Sequence, residues 1–353
     1  MESKQKKVSR QLKVAADGTV QVPAFDLPLS GALSKESKAL LAAMLSSPRR
    51  MNMPEARDFE TETAFNSAVD TFRQTLDEQL IRPASERLLT MFPVDIKAGR
   101  VGGVAVETFT PMQEQDCERV LINLHGGAFY SGAIHVARLE SIPMAHKGRF
   151  RVISVDYRQG YEHRFPAASE DVAAVYAQLL NDYSAKQIGI YGGSAGGMLA
   201  LQSTAWILEH GLPAPGAIGV FSAGTGGSGD GGYLSAIGTG RFPPDDTMAS
   251  ISNAPFGYFA GTRPDDYLVN PNIAPEVFRA RFPPALFITA TRAFDLSPAL
   301  ASHRSLVQAG VDAQLHVFDG LGHSFYYDAM TPEAVDAYNI MIRFFRKQLS
   351  RQI

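Results

Sequence analysis

The chain has 353 residues, of which 45% are hydrophobic and 20% charged, a composition ordinary for a globular protein with one large α/β domain and an accessory segment. Its 33 basic and 36 acidic residues give a net charge of -3, which argues against nucleic acid or an anionic membrane as partner. The one cysteine, Cys117, cannot form an internal disulfide and has no Cys/His cluster around it, so we expect a reducing compartment and no metal site. No apolar run follows the charged segment Met1–Lys7 and none is long enough to span a membrane, so we expect a soluble cytoplasmic protein.

The first ninety residues carry helical patterns and turn signals. Residues 1 to about 35, with a turn signal at Asp17-Gly18, are expected to be weakly structured. Apolar residues at three- and four-residue spacing then predict three helices, Ser34–Leu45, Thr63–Leu80 and Ala84–Phe92. Because no strand pattern interrupts them, we predict that residues 1–92 form a helical N-terminal cap region, with a plain packing layer as the alternative.

Strand patterns begin after Pro93 and soon alternate with helical ones. The predicted strands are Val94–Lys97 and Val101–Thr110, joined by a glycine turn, followed by Arg119–His125, Phe150–Asp156, Ile188–Tyr191, Ala217–Ser222, Ala285–Ala290 and Ala313–Phe318. The predicted helices are Ala167–Leu180, Met198–Glu209 and Pro332–Leu349. This alternation predicts an α/β fold over residues 93–353, with a mostly parallel, doubly wound sheet whose ligands bind beyond the carboxyl ends of the strands.

A serine lies at the centre of a glycine-rich strand-to-helix junction. The strand Ile188–Tyr191 leads into Gly192-Gly193-Ser194-Ala195-Gly196 and then into a helical pattern. This context is typical of a nucleophile elbow, in which small neighbours permit a tight, strained turn that exposes the hydroxyl. The N-terminus of the next helix supplies free N–H groups beneath it. We predict Ser194 to be a nucleophile, although a glycine-rich turn occurs in any doubly wound fold.

A second glycine-rich turn, His125–Phe129, comes directly after the predicted strand whose apolar run ends at Leu124. We expect this turn to lie at the same edge of the sheet as Ser194. Main-chain N–H groups in such a turn can stabilise the oxyanion of a tetrahedral intermediate. We predict that the amides of Gly127, Ala128 and Ala195 are the donors and that Gly126 supports the turn, so that these four residues form the oxyanion hole. His125 is expected to be structural, because it precedes the nucleophile in the chain.

A serine nucleophile needs a base to accept its proton, and the base needs an acid to orient it. Asp295 follows the strand that ends at Ala290, and His323 follows the strand that ends at Phe318. The chain order Ser194, Asp295, His323 is that of an α/β-hydrolase triad. Asp319 is the rival acid, but it is so close to His323 in the chain that it would have to fold back on its own turn.

Another glycine-rich segment, Ala223–Tyr233, follows the strand that ends at Ser222. No Lys-Ser/Thr pair ends it, which argues against a phosphate-binding loop. We expect a flexible loop at the mouth of the crevice that leads into a second cap element, within residues 224–283. Aromatic residues in this element either line a hydrophobic pocket or pack the cap; they are Phe256, Tyr258 and Phe259.

Taken together, residues 90 to about 350 resemble the hormone-sensitive-lipase-like branch of the α/β-hydrolases, which includes bacterial carboxylesterases. The matching segments are His125–Phe129, Val155–Arg158 with Glu162, His163, Phe165-Pro166 and Glu170-Asp171 behind it, Gly192–Gly197, Asp295-Leu296 and Gly322–Phe325. The resemblance implies the α/β-hydrolase fold, a helical N-terminal cap, no cofactor, hydrolysis of short- to medium-chain esters, and frequently a homodimer.

The chain also departs from the usual pattern of this family. Ala128 stands where a third glycine is usual, Gly193 where an aspartate is usual, and Gln159–Tyr161 where Leu-Ala-Pro is usual. At the triad acid the family often has Asp-x-Leu-x-Asp, whereas here Leu296 follows Asp295 directly and Ala299 takes the second acidic place. The missing carboxylate at position 193 removes a buried charge, so its partners must differ in this chain.

We therefore expect a serine carboxylesterase that acts on small-molecule esters, is acylated on Ser194 and is deacylated by water activated through His323. The same triad on amides or lactones is one alternative. A non-catalytic ligand-binding protein on this fold is another, although such proteins typically lack the histidine. A structural or interaction protein is the third, and the intact triad argues against it.

Overall fold

The computed structural model describes residues 13–22, 26–46, 53–112, 116–227, 229–239 and 254–349. The chain divides into two compact units, residues 1–31 and residues 32–353. In the described part of the first unit, the short strands β1 (Lys13–Val14) and β2 (Val20–Gln21) form an antiparallel hairpin. The predicted turn at Asp17-Gly18 lies at its tip, with Gly18 at a φ of +87°. Residues before Lys13 lie outside the described part of the chain.

The second unit begins with helices at the predicted places. These are α1 (Lys35–Ser46), α2 (Glu62–Gln74) and α3 (Arg82–Met91), and a π-helical segment, Thr75–Ile81, joins α2 to α3. The predicted break between two separate helices was therefore wrong. Pro83 has no N–H, and the wider π-helical turn just before it lets the chain stay helical through this point.

Eight strands form one sheet. They are β3 (Val94–Val101), β4 (Val104–Pro111), β5 (Asp116–Leu124), β6 (Phe150–Val155), β7 (Ile188–Gly193), β8 (Ala217–Phe221), β9 (Ala285–Ala290) and β10 (Ala313–Phe318). Their order is β10-β9-β8-β7-β5-β6-β4-β3. β4 pairs antiparallel with β3 and β6, and all other neighbours are parallel. The predicted α/β class with a mostly parallel sheet is confirmed.

Helices cover both faces of this sheet. They are α4 (His135–Gly148), α5 (Ala167–Leu179), α6 (Ala195–Glu209), α7 (Gly229–Thr239), the single turn α8 (Glu276–Arg279), α9 (Leu296–Gln308) and α10 (Pro332–Gln348). Side chains alternate across each strand, so Ile122 of β5 packs with Val172 of α5 and Leu199 of α6. Its neighbour Leu121 packs on the other face with Phe345 of α10. The sheet is therefore doubly wound, as predicted.

Four of these helices were not predicted, namely α4, α7, α9 and the single turn α8. Eleven of the fourteen residues of α4 are buried, so the segment has no polar face to give it a helical period. A flexible loop was expected for the glycine-rich segment Ala223–Tyr233, and that expectation was wrong for its last five residues, 229–233, which belong to α7. The Gly231 amide donates to the Ser297 hydroxyl at the start of α9 (2.9 Å), so contacts with α9 support a helix that its own glycines disfavour.

The second predicted cap element, residues 224–283, lies partly outside the described residues, which omit 240–253. In its described part, Tyr258 and Phe259 are buried and both contact Phe129: Tyr258 stacks on it at 4.9 Å, and Phe259 meets it edge-to-face at 5.0 Å. Phe256 stacks on Phe65 of α2 at 6.0 Å. Of the two interpretations left open for these aromatic residues, their contacts favour packing over lining a pocket.

Candidate active site

Ser194 lies on the tight junction between β7 and α6, as its context indicated. Its φ of +54° and ψ of -122° are strained for a residue with a side chain. The Ser194 amide donates to the Phe221 carbonyl of β8 at 2.9 Å, which fixes the turn. A Cβ added to Gly192 or Gly196 would overlap the Leu124 carbonyl at the end of β5. Both glycines are therefore required by close approach of the neighbouring strand.

The structure brings Ser194, His323 and Asp295 together in one hydrogen-bonded chain. His323 Nε2 lies 2.9 Å from Ser194 Oγ, and His323 Nδ1 lies 2.6 Å from Asp295 Oδ1. Asp295 is buried, and its second oxygen accepts the Thr289 hydroxyl at 2.5 Å. With an ionised Asp295, Nδ1 carries the proton and Nε2 is free to accept one from the serine. Hydrogen-bond donors thus hold both oxygens of the carboxylate and fix the ring.

The surroundings of His323 include neither the rival acid as a hydrogen-bond partner nor an open ring face on both sides. The exposed Asp319 accepts the Thr291 hydroxyl at 3.1 Å, and the hydrogen bonds of His323 go to Asp295 and Ser194. Phe294, the residue before Asp295, stacks on the His323 ring at a centroid distance of 4.2 Å while its side chain stays 50% exposed. Sequence reasoning missed this contact, which covers one face of the imidazole.

The glycine-rich turn after β5 packs directly against the serine. A Cβ added to Gly126 would lie 3.3 Å from Ser194 Cβ. Gly127 and Ala128 have φ values of +124° and +59°, so Ala128 holds a left-handed conformation that its methyl group disfavours. Within the described residues, the amides of Gly127, Ala128 and Ala195 have no hydrogen-bond acceptor. They are free to donate to a ligand, whereas the Gly126 amide donates to Glu140 Oε1 at 3.1 Å.

His125 takes part in the turn. It is fully buried, stacks on Tyr157 at 4.2 Å, and its Nδ1 lies 2.8 Å from the Gly126 carbonyl. Burial lowers the pKa of His125 to about 4, so the ring is neutral near pH 7. The Tyr157 hydroxyl donates to the His125 carbonyl at 2.6 Å. These contacts fit the structural part expected for this histidine.

Glu140 of α4 is a further residue at the site, and the sequence analysis missed it. Oε1 accepts the Gly126 amide at 3.1 Å and the Tyr327 hydroxyl at 2.6 Å. Oε2 accepts Asn123 Nδ2 at 2.8 Å and the Gly193 amide at 3.3 Å. Burial raises the pKa of Glu140 to about 7, although all four hydrogen bonds favour the ionised form. The signal in the sequence was indirect, namely a glycine at position 193 where an acid is usual.

A cavity of about 620 Å³ lies behind the glycine-rich turn, between α2 and the end of β6. Its lining does not include Ser194, Asp295 or His323, and two of its charged residues, Arg73 and Glu162, are paired with each other. Arg73 holds Glu162 through two contacts, of 2.6 and 2.8 Å, and donates from Nε to the Tyr130 carbonyl at 2.5 Å. Arg73 thereby links α2 to the segment that follows the turn.

In the described ranges, no group of three or more His, Cys, Asp or Glu side chains is arranged to hold a metal ion. No helix in the same part of the chain is both long and apolar enough to cross a bilayer.

Comparisons with known proteins agree with this geometry. A family model described as alpha/beta hydrolase fold matches residues 121–327, more than half of the chain. A curated protein named Esterase, from Acinetobacter venetianus, is 31% identical over 147 residues, which cover 40% of this chain and 48% of that protein. The chain spans less than half the length of the curated relatives it matches.

Solved structures match over nearly the full chain. The esterase E25 has a TM-score of 0.77 at 26% identity, covering 94% of this chain and 99% of that one. An esterase from the bacterial hormone-sensitive lipase family has a TM-score of 0.68 at 25% identity, covering 90% and 100%. The chain therefore belongs to the family with the alpha/beta hydrolase fold, and the predicted resemblance to its hormone-sensitive-lipase-like branch is confirmed.

Proposed function

We propose that this protein is a serine hydrolase that cleaves short- to medium-chain carboxylic esters through an acyl-enzyme on Ser194. The observation that carries the proposal is the hydrogen-bonded chain from Ser194 Oγ to His323 Nε2 (2.9 Å) and from His323 Nδ1 to Asp295 Oδ1 (2.6 Å). Unused amides beside the serine support it, because a developing oxyanion needs such donors. The esterase names of the relatives agree with it.

In the proposed mechanism, Ser194 Oγ attacks the ester carbonyl as His323 Nε2 takes the hydroxyl proton. The amides of Gly127, Ala128 and Ala195 hold the oxyanion, and Asp295 stabilises the imidazolium. His323 then gives its proton to the leaving alkoxide, and the alcohol departs. Water repeats the sequence on the acyl-enzyme: His323 takes its proton, hydroxide adds to the acyl carbon, and the carboxylic acid leaves as Ser194 Oγ regains the proton.

Ester substrates are distinguished from the alternatives by direct assay. The same triad could act on amides or lactones, so esters, anilides and lactones of one acyl group need to be compared at equal concentration. A ligand-binding protein without turnover is the alternative from another class. The position of His323 argues against it, since the imidazole is hydrogen-bonded to both the serine and the aspartate.

The first experiment is a panel of p-nitrophenyl esters from acetate to laurate, with a serine-directed phosphonate as covalent probe and intact mass as readout. Ser194→Ala should abolish labelling and lower kcat by about 10⁵- to 10⁶-fold, as removal of a triad serine does. Ser203→Ala is the matched control, because Ser203 lies on the same helix and its hydroxyl has no partner in the described structure. Near-normal turnover by folded Ser194→Ala would refute the proposal.

The proposal includes the predicted division into a helical N-terminal cap region, residues 1–92, and a catalytic domain, residues 93–353, with a second cap element within 224–283. Support comes from Arg73, which donates to the Tyr130 carbonyl, and from Phe65, which meets the Tyr130 ring edge-to-face at 5.7 Å. If these helices shape access to the site, Arg73→Ala should change KM and acyl preference more than it changes phosphonate labelling. Equal effects on short and long esters would favour a plain packing layer.

Two finer expectations belong to the same proposal. The single cysteine favours a cytoplasmic location, since oxidising compartments favour disulfides. A homodimer is expected from the family resemblance. Cell fractionation tests the location, and light scattering of the purified protein tests the dimer.

A further inference from the structure

One buried carboxylate connects the three loops that carry the site. Glu140 accepts the Gly126 amide from the turn after β5, the Gly193 amide from the elbow after β7, and the Tyr327 hydroxyl from the loop after β10. Tyr327 follows His323 in that loop by one short helical turn, Phe325–Tyr327. The oxyanion turn, the nucleophile and the base therefore lie at the ends of three separate strands, and a single side chain contacts all three loops.

We propose that Glu140 is a positioning residue that fixes the oxyanion turn, the elbow and the histidine loop relative to one another. The inference rests on the proposed function, because it assigns a part in that reaction. Glu140 is fully enclosed, with 2% of its surface exposed, and its oxygens are occupied by four donors. It therefore acts through its neighbours and does not touch the substrate.

The carboxylate of Glu140 can occupy its position only because residue 193 is a glycine. A Cβ at position 193 would lie 2.7 Å from Glu140 Oε1 and 2.5 Å from the Tyr326 hydroxyl. The backbone of Gly193 is not in the left-handed region, so glycine is needed there for space and not for its φ. The carboxylate of α4 thus occupies the volume that a side chain on the elbow would otherwise fill.

The four donors divide between the two oxygens in a way that an amide cannot reproduce. The Gly126 amide and Tyr327 share Oε1, while the Gly193 amide and Asn123 share Oε2. In Glu140→Gln, one of the two backbone amides must face an NH₂ group and lose its acceptor. The turn or the elbow should then shift, and small shifts of catalytic groups are costly in rate.

We expect Glu140→Gln to lower kcat by about 10²-fold with KM changed by less than about 3-fold, since the effect is on transition-state donors. Glu107→Gln is the matched control. Glu107 lies on β4 and is paired, at 2.6 and 3.0 Å, with Arg138 of α4, the helix that also carries Glu140. Phosphonate labelling of Ser194 should slow in the first variant and remain unchanged in the second.

A rescue separates positioning from general stabilisation. The Tyr326→Phe background removes a hydroxyl that has no hydrogen-bond partner in the described structure and makes room at position 193. In that background Gly193→Asp should inactivate, because two carboxylates then compete for one volume. Adding Glu140→Ala to the Tyr326→Phe, Gly193→Asp double variant should raise its kcat by at least about 10-fold. The reason is that the new carboxylate can accept the same donors.

The outcomes distinguish this inference from the proposed function. If the unaltered protein neither turns over esters nor reacts with the phosphonate, the proposed function fails. If it does both and folded Glu140→Gln keeps its kcat within about 3-fold, the positioning role of Glu140 is refuted. Loss of activity in Glu140→Gln without rescue in the Gly193→Asp, Glu140→Ala combination would also refute it, because the loss would then reflect general damage to the core.

Discussion

The choice of Asp295 as the triad acid can be tested by a single change of one atom type. Asp295→Asn keeps the shape of a side chain that is only 3% exposed. Its amide can then be oriented in two ways, and both are harmful. With NH₂ toward His323 Nδ1, the ring must carry its proton on Nε2, which leaves Ser194 without a base. With the oxygen toward His323, the Thr289 hydroxyl must reverse and the imidazolium loses its counter-charge.

The magnitude follows from the geometry. The 2.6 Å contact between Asp295 and His323 is a partly buried hydrogen bond to a carboxylate, and it strengthens when the ring becomes charged during the reaction. The equivalent change in a serine protease costs about 10⁴-fold in kcat, or about 5 kcal/mol. We expect a loss of this order here. Asp319→Asn should cost less than about 3-fold, because the Thr291 hydroxyl that donates to Asp319 can donate equally to an amide oxygen.

The assay compares both variants with the unaltered enzyme on p-nitrophenyl butyrate near pH 8. Thermal unfolding of each variant shows whether it is folded. If folded Asp319→Asn proves more impaired than Asp295→Asn, the assignment of the acid is refuted, although Ser194 and His323 could keep their proposed parts.

Three further predictions follow from other contacts. Glu140, with its pKa raised from 4.5 to about 7, binds a proton in the folded state that the unfolded chain has lost, so its contribution to stability falls as pH rises through this window. Urea unfolding should show Glu140→Gln gaining up to about 3 kcal/mol relative to the unaltered protein between about pH 4.5 and pH 8; a constant difference would contradict this. Gly127→Ala should lower kcat by about 10²-fold, because its φ of +124° and overlap with the Ser131 carbonyl displace the turn; a normal kcat would contradict this. Thr289→Val should lower kcat about 10-fold at constant KM through loss of the hydrogen bond to Asp295; a change in KM alone would show that Thr289 acts on substrate binding.

The strands of the sheet could be predicted well from the sequence. β9 and β10 have the predicted bounds, Ala285–Ala290 and Ala313–Phe318. Buried parallel strands are short apolar runs between turn residues, and this signal is local. α4 gave no such signal, because burial on nearly all sides removes the polar face by which a helix is recognised. Pro143 within it further disguised the segment.

The candidate site likewise contains residues that could be predicted from the sequence and residues that could not. Ser194, Asp295 and His323 each follow a predicted strand, and the carboxyl ends of parallel strands share one edge of the sheet. Their proximity could therefore be expected before any distance was known. Phe294 and Glu140 could not be found by this rule. The stacking of Phe294 depends on a side-chain direction, and the contacts of Glu140 depend on how α4 packs beneath the turn.

The burial that hid α4 from the sequence analysis is also what makes Glu140 effective. A carboxylate exposed to water would share its four donors with solvent, and each hydrogen bond would then contribute little to the position of a loop. Under Gly193 the carboxylate is shielded from bulk water, so the hydrogen bonds from Gly126, Gly193 and Tyr327 hold their loops to it. The glycine on the elbow and the acid on the helix are thus two parts of one arrangement, and changing either alone should disturb the proposed oxyanion hole.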